Sequence, residues 1–296
     1  MQESAIPAAP ATTQLVVGLA RALHESGAPS HRLEDTLEAV CRALDVDVVI
    51  FSTPTSLVLQ VDGRAYMLRV SPKESNLSRL VAVDALGAAL SRNRLSVEKA
   101  LCRLKLLKQQ KAGPYPAPVM AIALALSSAM ADLLFGGPPI EATLAGALAG
   151  LLSLLSGRMA GNPHHARIAH LVSGTLMGLL AGLAASFWAI SPERAALAAL
   201  ILFIPGLTLT TAIAELASGH LSAGSARLAG GAIVLLQLGL GCALGLGIAG
   251  ALVDPVLGPV AAAPTWLHWP ALVAAGVSFT ILFQARKADL IWIVIA

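Results

Sequence analysis

The distribution of charge along the chain limits its fold more than any other feature. From Gly113 onward, apolar runs of roughly twenty residues follow one another with few charged side chains inside them. Such runs cross a bilayer as helices, because a helix satisfies its own backbone N–H and C=O groups where no water is available. Most of the charged residues fall before Lys111, where the pattern is that of a soluble domain. Over 296 residues only 12% are charged and 56% are hydrophobic, whereas a soluble domain carries about a quarter charged residues. The fold class implied is a polytopic α-helical membrane protein with a small cytoplasmic α/β N-terminal domain.

Residues 1–12 are rich in Ala and Pro and read as a disordered leader. They lack the basic start and apolar core of a secretory signal, so the domain behind them is expected to stay in the cytoplasm. That domain spans 13–112. A first helix is predicted over Thr13–Ser26, with Leu15, Leu19 and Leu23 on one face and Gly27 ending it. Ser30 is placed to cap a second helix carrying Leu33, Leu37, Val40 and Leu44, with Glu34 and Asp35 in its first turn. The period then changes. Val46–Ser52 is β-branched and aromatic, and Ser56–Val61, Asp62-Gly63 and Arg64–Val70 form a hairpin whose Asp-Gly suits a type I′ turn. Helices over Asn76–Ser91 and Ser96–Lys111 complete an ααβββαα unit. His31, Arg32 and Glu34 are its most polar cluster, accounted for by capping and helix-surface roles.

Six spans are predicted, over 116–135, 140–157, 168–190, 194–214, 228–252 and 267–285. The first five form a membrane module over 113–252. Residues 253–296 read as an external loop and the start of a second membrane module, truncated within the apolar run Leu290–Ala296. Arg103, Lys105, Lys108 and Lys111 precede the first span, Arg158 and Arg167 follow the second, Arg227 follows the fourth and Arg286-Lys287 follow the sixth. Among basic residues the opposite loops hold Arg194 alone, so the positive-inside rule puts the N-terminus in the cytoplasm. Gly146 and Gly150, Gly174, Gly178 and Gly182, and Gly241 and Gly245 recur every four residues, a spacing that lets helix backbones approach closely.

Polar groups at membrane depth are costly and mark function or pairing. The fourth span breaks its own helix at Pro205-Gly206, either as a simple kink or as a discontinuous helix that presents backbone groups to a substrate. Thr208, Thr211 and Glu215 follow at spacings of three and four, on one helix face. Glu215 is either part of a polar pathway or a solvated helix end or partner of Arg227. Asp132, near the outer end of the first span, can serve as a proton or cation site or lie unremarkably at the interface.

Other chemistries find no support in the sequence. Cys41, Cys102 and Cys242 are too far apart for a redox or metal motif. His164, His165 and His170 lack helical metal-site spacing and have no accompanying carboxylate, so no metal and no cofactor is expected. No nucleophile–base set and no phosphate-binding glycine loop occurs, which points away from an enzyme. A net charge of +3 gives no case for nucleic acid.

LHESGAPSHRLEDTLEAVCRALDV, RVSPKESNLSRLVAV and the PGL…E…SGHLSAGSARL stretch occur in this order, and together they resemble the threonine/serine exporter family over residues 13–252. The resemblance implies a cytoplasmic domain, about five membrane helices, and a second module in cis or as a separate subunit. It implies proton-driven export of a small amino acid or a dicarboxylate from the bacterial inner membrane, by a homo- or hetero-oligomer. Its matching positions are Pro205, Gly206, Glu215, Gly219, Gly224 and Arg227, with Glu215 where Asp is the family's choice. The reading is therefore a secondary exporter in which Glu215 carries the proton and Arg227 attracts the substrate carboxylate. The alternative is a non-transporting membrane subunit whose cytoplasmic domain senses a metabolite.

Overall fold

A computed structural model describes residues 9–70, 76–109, 113–159, 168–256, 258 and 262–295. Residues 71–75 of the RVSPKESNLSRLVAV motif, together with His164, His165 and Arg167, lie outside the described residues. The chain forms two compact units, one made of Met1–Pro114 and Leu207–Ala229, the other of Tyr115–Gly206 and Gly230–Ala296.

The first unit has the element order read from the sequence: α1 (Ala11–Glu25), α2 (Ser30–Ala43), β1 (Val48–Thr53), β2 (Ser56–Val61), β3 (Arg64–Arg69), α3 (Leu77–Ser91) and α4 (Val97–Gln109). The strands form one antiparallel sheet in the order β1-β2-β3. Val61 pairs with Arg64 across Asp62 and Gly63, whose φ angles of 48° and 75° give the tight turn that Asp-Gly predicts. Leu57, Leu59 and Val61 of β2 enter the same core as Leu15, Leu19 and Leu23 of α1 and Leu33, Leu37 and Val40 of α2. Asn76 caps α3 by accepting the Arg79 N–H at 2.9 Å.

Two local expectations change. Helix α1 already begins at Ala11, within the stretch expected as leader. Helix α2 begins at Ser30, with Pro29 as an N-cap that makes no side-chain cap bond of its own. Ser30 is therefore the first helical residue rather than the cap, and Glu34 lies beyond the first turn. Proline fits there because its fixed φ suits the entry to a helix, but it contributes no capping oxygen.

In the second unit, α5 (Ala117–Leu134) and α6 (Pro139–Met159) form a hairpin, followed by α7 (Ala169–Ala184), the short α8 (Pro192–Ala199) and a 3₁₀ turn over Ile201–Phe203. Helix α9 (Gly206–Ala217) leads to α10 (Leu221–Leu252), then come α11 (His268–Leu282) and α12 (Leu290–Ile295). Helix α9 and the start of α10 belong to the first unit from Leu207 to Ala229. Among the described residues, three helical segments are long and apolar enough to cross a membrane: Ala117–Leu134, Leu221–Leu252 and Thr265–Leu282. A fourth span results if Pro192–Ala199 and Ile201–Ala217, bent by 54°, are one broken segment. Pro139–Leu155 and Ala169–Ala184 are shorter apolar helices. The break predicted at Pro205-Gly206 is present and wider than proline alone requires, since α8 already ends with Leu200 as its C-cap.

The repeated glycines mark close helix contacts. A Cβ on Gly174 or Gly178 would strike the backbone of Leu238 or Cys242, and one on Gly241 or Gly245 would strike the backbone of Leu171 or Thr175. Helices α7 and α10 thus meet backbone to backbone along a seam of small residues.

Candidate functional site

The described residues form two buried polar clusters, one inside each unit. The first gathers on the α9–α10 turn. Gly219 ends α9 with φ of 83°, the His220 N–H donates to the Glu215 carbonyl at 2.9 Å and the Gly219 N–H to the Leu216 carbonyl at 3.1 Å. This is the paired bonding of a Schellman cap, which needs a residue tolerant of positive φ. The chain then reverses into α10, where a Cβ on Gly224 would collide with Leu216 and crowd the Ala212 carbonyl. Both glycines are accounted for by the shape of this turn.

Glu215 sits beneath it, fully buried. One carboxylate oxygen accepts the Arg227 Nε–H at 3.0 Å and the other accepts the Ser30 backbone N–H at 2.8 Å. Arg227 is 12% exposed at its side chain. The carboxylate therefore caps α2, whose own N-cap is Pro29, and places negative charge where the helix dipole favours it. Alongside, His220 Nε2 lies 3.0 Å from Glu34, which also accepts the Ser52 N–H at 3.3 Å, and the His31 and His220 rings are 6.1 Å apart. His24 reaches the Thr53 carbonyl through Nε2 at 2.8 Å, and burial pushes its pKa below the ordinary histidine value. Of the remaining predicted positions, Thr208 is exposed and Thr211 is half-buried, so the expected face becomes progressively more covered toward Glu215. Pro205 and Gly206 lie at the helix break.

The second cluster lies where α5 turns into α6. Gly136, with φ of 84°, ends α5, and the Gly137 N–H closes the turn on the Asp132 carbonyl at 2.9 Å. A Cβ on Gly137 would collide with the Asp132 carboxylate, so this glycine makes room for the acid. Asp132 and Glu141 are both fully buried. Arg194 binds Glu141 through Nε at 2.6 Å and Nη2 at 2.8 Å, and the Ser191 N–H adds a third bond at 2.9 Å. Asp132 stands 3.9 Å from the same guanidinium; its carboxyl faces that of Glu141 within hydrogen-bonding reach, and among the described residues no N–H donates to its oxygens. The Ser128 hydroxyl, one turn earlier on α5, is buried and unbonded. Two acids thus share one cation.

Asp132 stands out in the sequence, and its companions do not. Glu141 sits in the first turn of α6, where an acid is ordinary, and Arg194 served only as a topology marker. The available signal was one acid on each side of the Gly136-Gly137-Pro138 turn, opposite the single basic residue of that side. Among the described residues no group of His, Cys, Asp or Glu could hold a metal ion.

Residues 14–249 match the model of the family described as "Putative threonine/serine exporter" (ThrE). The chain belongs to this threonine/serine exporter family. The match runs through both polar clusters, and together with the apolar helices it makes the protein a multi-pass membrane protein of an exporter family. No curated protein and no solved structure matches the chain. The stretch from Glu215 to Arg227, which lies within the match, is the one that binds the α9–α10 turn to helix α2.

Proposed function

We propose that this ThrE member is a secondary transporter that exports a small hydrophilic metabolite, threonine, serine or a related carboxylate, in exchange for protons. It works in the bacterial inner membrane with the N-terminal unit facing the cytoplasm, together with a second membrane module in cis or as a separate subunit. The observation that carries the reading is Asp132. A coupling acid has to take up and release a proton without first breaking a fixed ion pair. Asp132 is fully buried against the Glu141 carboxyl, no N–H among the described residues donates to its oxygens, and the nearby Arg194 guanidinium is committed to Glu141. Glu215 has the opposite environment: Arg227 and the Ser30 N–H occupy both of its oxygens, so it is already committed to a fixed joint.

On this reading the substrate carboxylate meets the amino end of α9 at Pro205-Gly206, where the helix dipole favours negative charge. Thr208 and Thr211 continue that face, and Gly219, Gly224 and Arg227 hold the turn beyond it. Asp132 supplies the proton site. The decisive experiment is flux of threonine, serine and succinate into proteoliposomes under an imposed pH gradient, with and without a second-module protein. Gradient-dependent flux that Asp132→Asn removes supports the reading, and flux indifferent to pH and to Asp132 sinks it.

A second reading has its own observation. The N-terminal unit closes around Leu207–Ala229, as a regulatory domain clamped to a membrane hairpin would. A purely regulatory subunit gives no flux in any combination, and its first unit binds a metabolite directly.

A further inference from the structure

Resting on the reading that Asp132 carries the proton, we propose that Arg194 is a shared counter-ion that turns from Glu141 toward Asp132 when the proton leaves, so that one guanidinium holds both carboxylates, and moves helix α8 as it does so. The distances set up this sharing. Arg194 lies 2.6 and 2.8 Å from Glu141 and 3.9 Å from Asp132. A shift of about 1 Å brings it to charge-assisted bonding distance of the second acid. Once Asp132 ionises, one guanidinium faces two buried carboxylates, and leaving either without a partner costs several kcal/mol, so Arg194 shifts to hold both. Glu141 is not abandoned in the shift, because the Ser191 N–H still donates to it at 2.9 Å.

Ser191 and Arg194 stand at the N-cap and first turn of α8, so one short helix delivers both donors. Ala195, Ala196, Ala198 and Ala199 are the buried residues of this helix. Its packing face is therefore smooth, and a small shift does not have to unlock large side chains. Helix α8 is also the first half of the segment bent by 54° before Pro205. The proton state at Asp132 is thereby handed to the broken helix. In each cycle the proton passes from the Asp132 carboxyl to water and returns from water, Arg194 stays protonated throughout, and no other bond is made or broken.

The test combines infrared titration of the reconstituted full chain with flux. A protonated carboxyl band that Asp132→Asn removes is expected in the unsubstituted protein. Glu141→Gln frees Arg194 for Asp132, so the band should vanish at the pH where the unsubstituted protein shows it. Net gradient-driven export should then fall at least tenfold while substrate exchange stays within about twofold. If the band persists unchanged in Glu141→Gln, the sharing of Arg194 is wrong although Asp132 remains the proton site. If no pH yields a band sensitive to Asp132→Asn, the proton reading itself fails. Should Glu141→Gln not assemble, Arg194→Gln decides: the band must survive to higher pH than in the unsubstituted protein, and an unchanged titration overturns the proposal. Arg194→Lys keeps the charge without the two-pronged grip, and is expected to restore part of the net flux that Arg194→Gln loses.

Discussion

The Glu215 carboxylate accepts the backbone N–H of Ser30 at 2.8 Å, joining two residues 185 positions apart in the sequence. Helix α2 begins behind a proline that has no capping side chain, and an acid from the α9–α10 turn fills that role. Arg227 neutralises the acid from the next helix. The pair is a structural joint, and its removal has a calculable sign.

Breaking a buried pair from one side leaves the other charge uncompensated, at a cost of about 3–5 kcal/mol. Glu215→Ala and Arg227→Ala are each expected to destabilise the first unit by that order, and the double variant by less than their sum. Chemical unfolding of the full chain, followed by proteolysis of the first unit, gives the coupling energy. Strict additivity would show that the two side chains act independently.

Gly219 and Gly224 should fail in different ways. Gly219→Ala must hold a Cβ at φ of 83°, for a loss of about 1 kcal/mol with the turn retained. Gly224→Val puts side-chain carbons against Leu216 and the Ala212 carbonyl, so the turn itself has to open. Protease access to the 218–222 backbone distinguishes the two, rising sharply only for Gly224→Val.

In proteoliposomes, Asp132→Asn is expected to remove the response to a pH gradient while exchange of labelled for unlabelled substrate continues. Gly137→Ala crowds the same carboxylate and should reduce gradient-driven flux without changing a charge. Full gradient coupling in both variants would exclude Asp132 as the coupling acid.

His24 gives the first unit a pH dependence of fixed sign. Burial lowers its pKa from 6.5 in the folded state, so on acidification the unfolded chain takes up the proton first. Stability is therefore fully present above about pH 6.5, declines as pH falls below that value, and levels off once the folded histidine is protonated as well. His24→Gln should flatten the melting temperature of the first unit against pH across that window. An undiminished slope would assign the effect to other groups.

Thiol labelling separates Cys102 from Cys41. Cys102 is exposed, whereas Cys41 is buried and burial pushes its thiol up to about 11. Maleimide at neutral pH should modify Cys102 in the folded protein and reach Cys41 only on unfolding, as read by mass spectrometry.

Much of the fold was legible because its signals are local. The Asp62-Gly63 turn, the leucine faces of α1 and α2, Gly27 and the break near Pro205 each follow from a few adjacent residues. The glycine seam between α7 and α10 was legible as a spacing, although only the structure pairs Gly174 with Leu238 and Gly241 with Leu171. The polar clusters were legible only in part, because their partners are distant in sequence. Nothing around Ser30 announces that its N–H awaits an acid, and Ser30 itself looks like the cap. Glu141 and Arg194 carry ordinary local explanations, a helix start and a loop charge, that conceal their convergence on Asp132.

The acceptor for the α2 N-terminus also has a consequence for the timing of synthesis. When a ribosome has just made Ser30, its partner is still 185 residues away. At about 5–20 residues per second, that is a wait of roughly 10–40 s. Helices α5 to α8 are all synthesised in that interval, so the amino-terminal domain cannot reach its final form before they are made. Its maturation comes after insertion of the membrane helices has begun, and a chain stalled before residue 215 leaves the ribosome with that helix end still open.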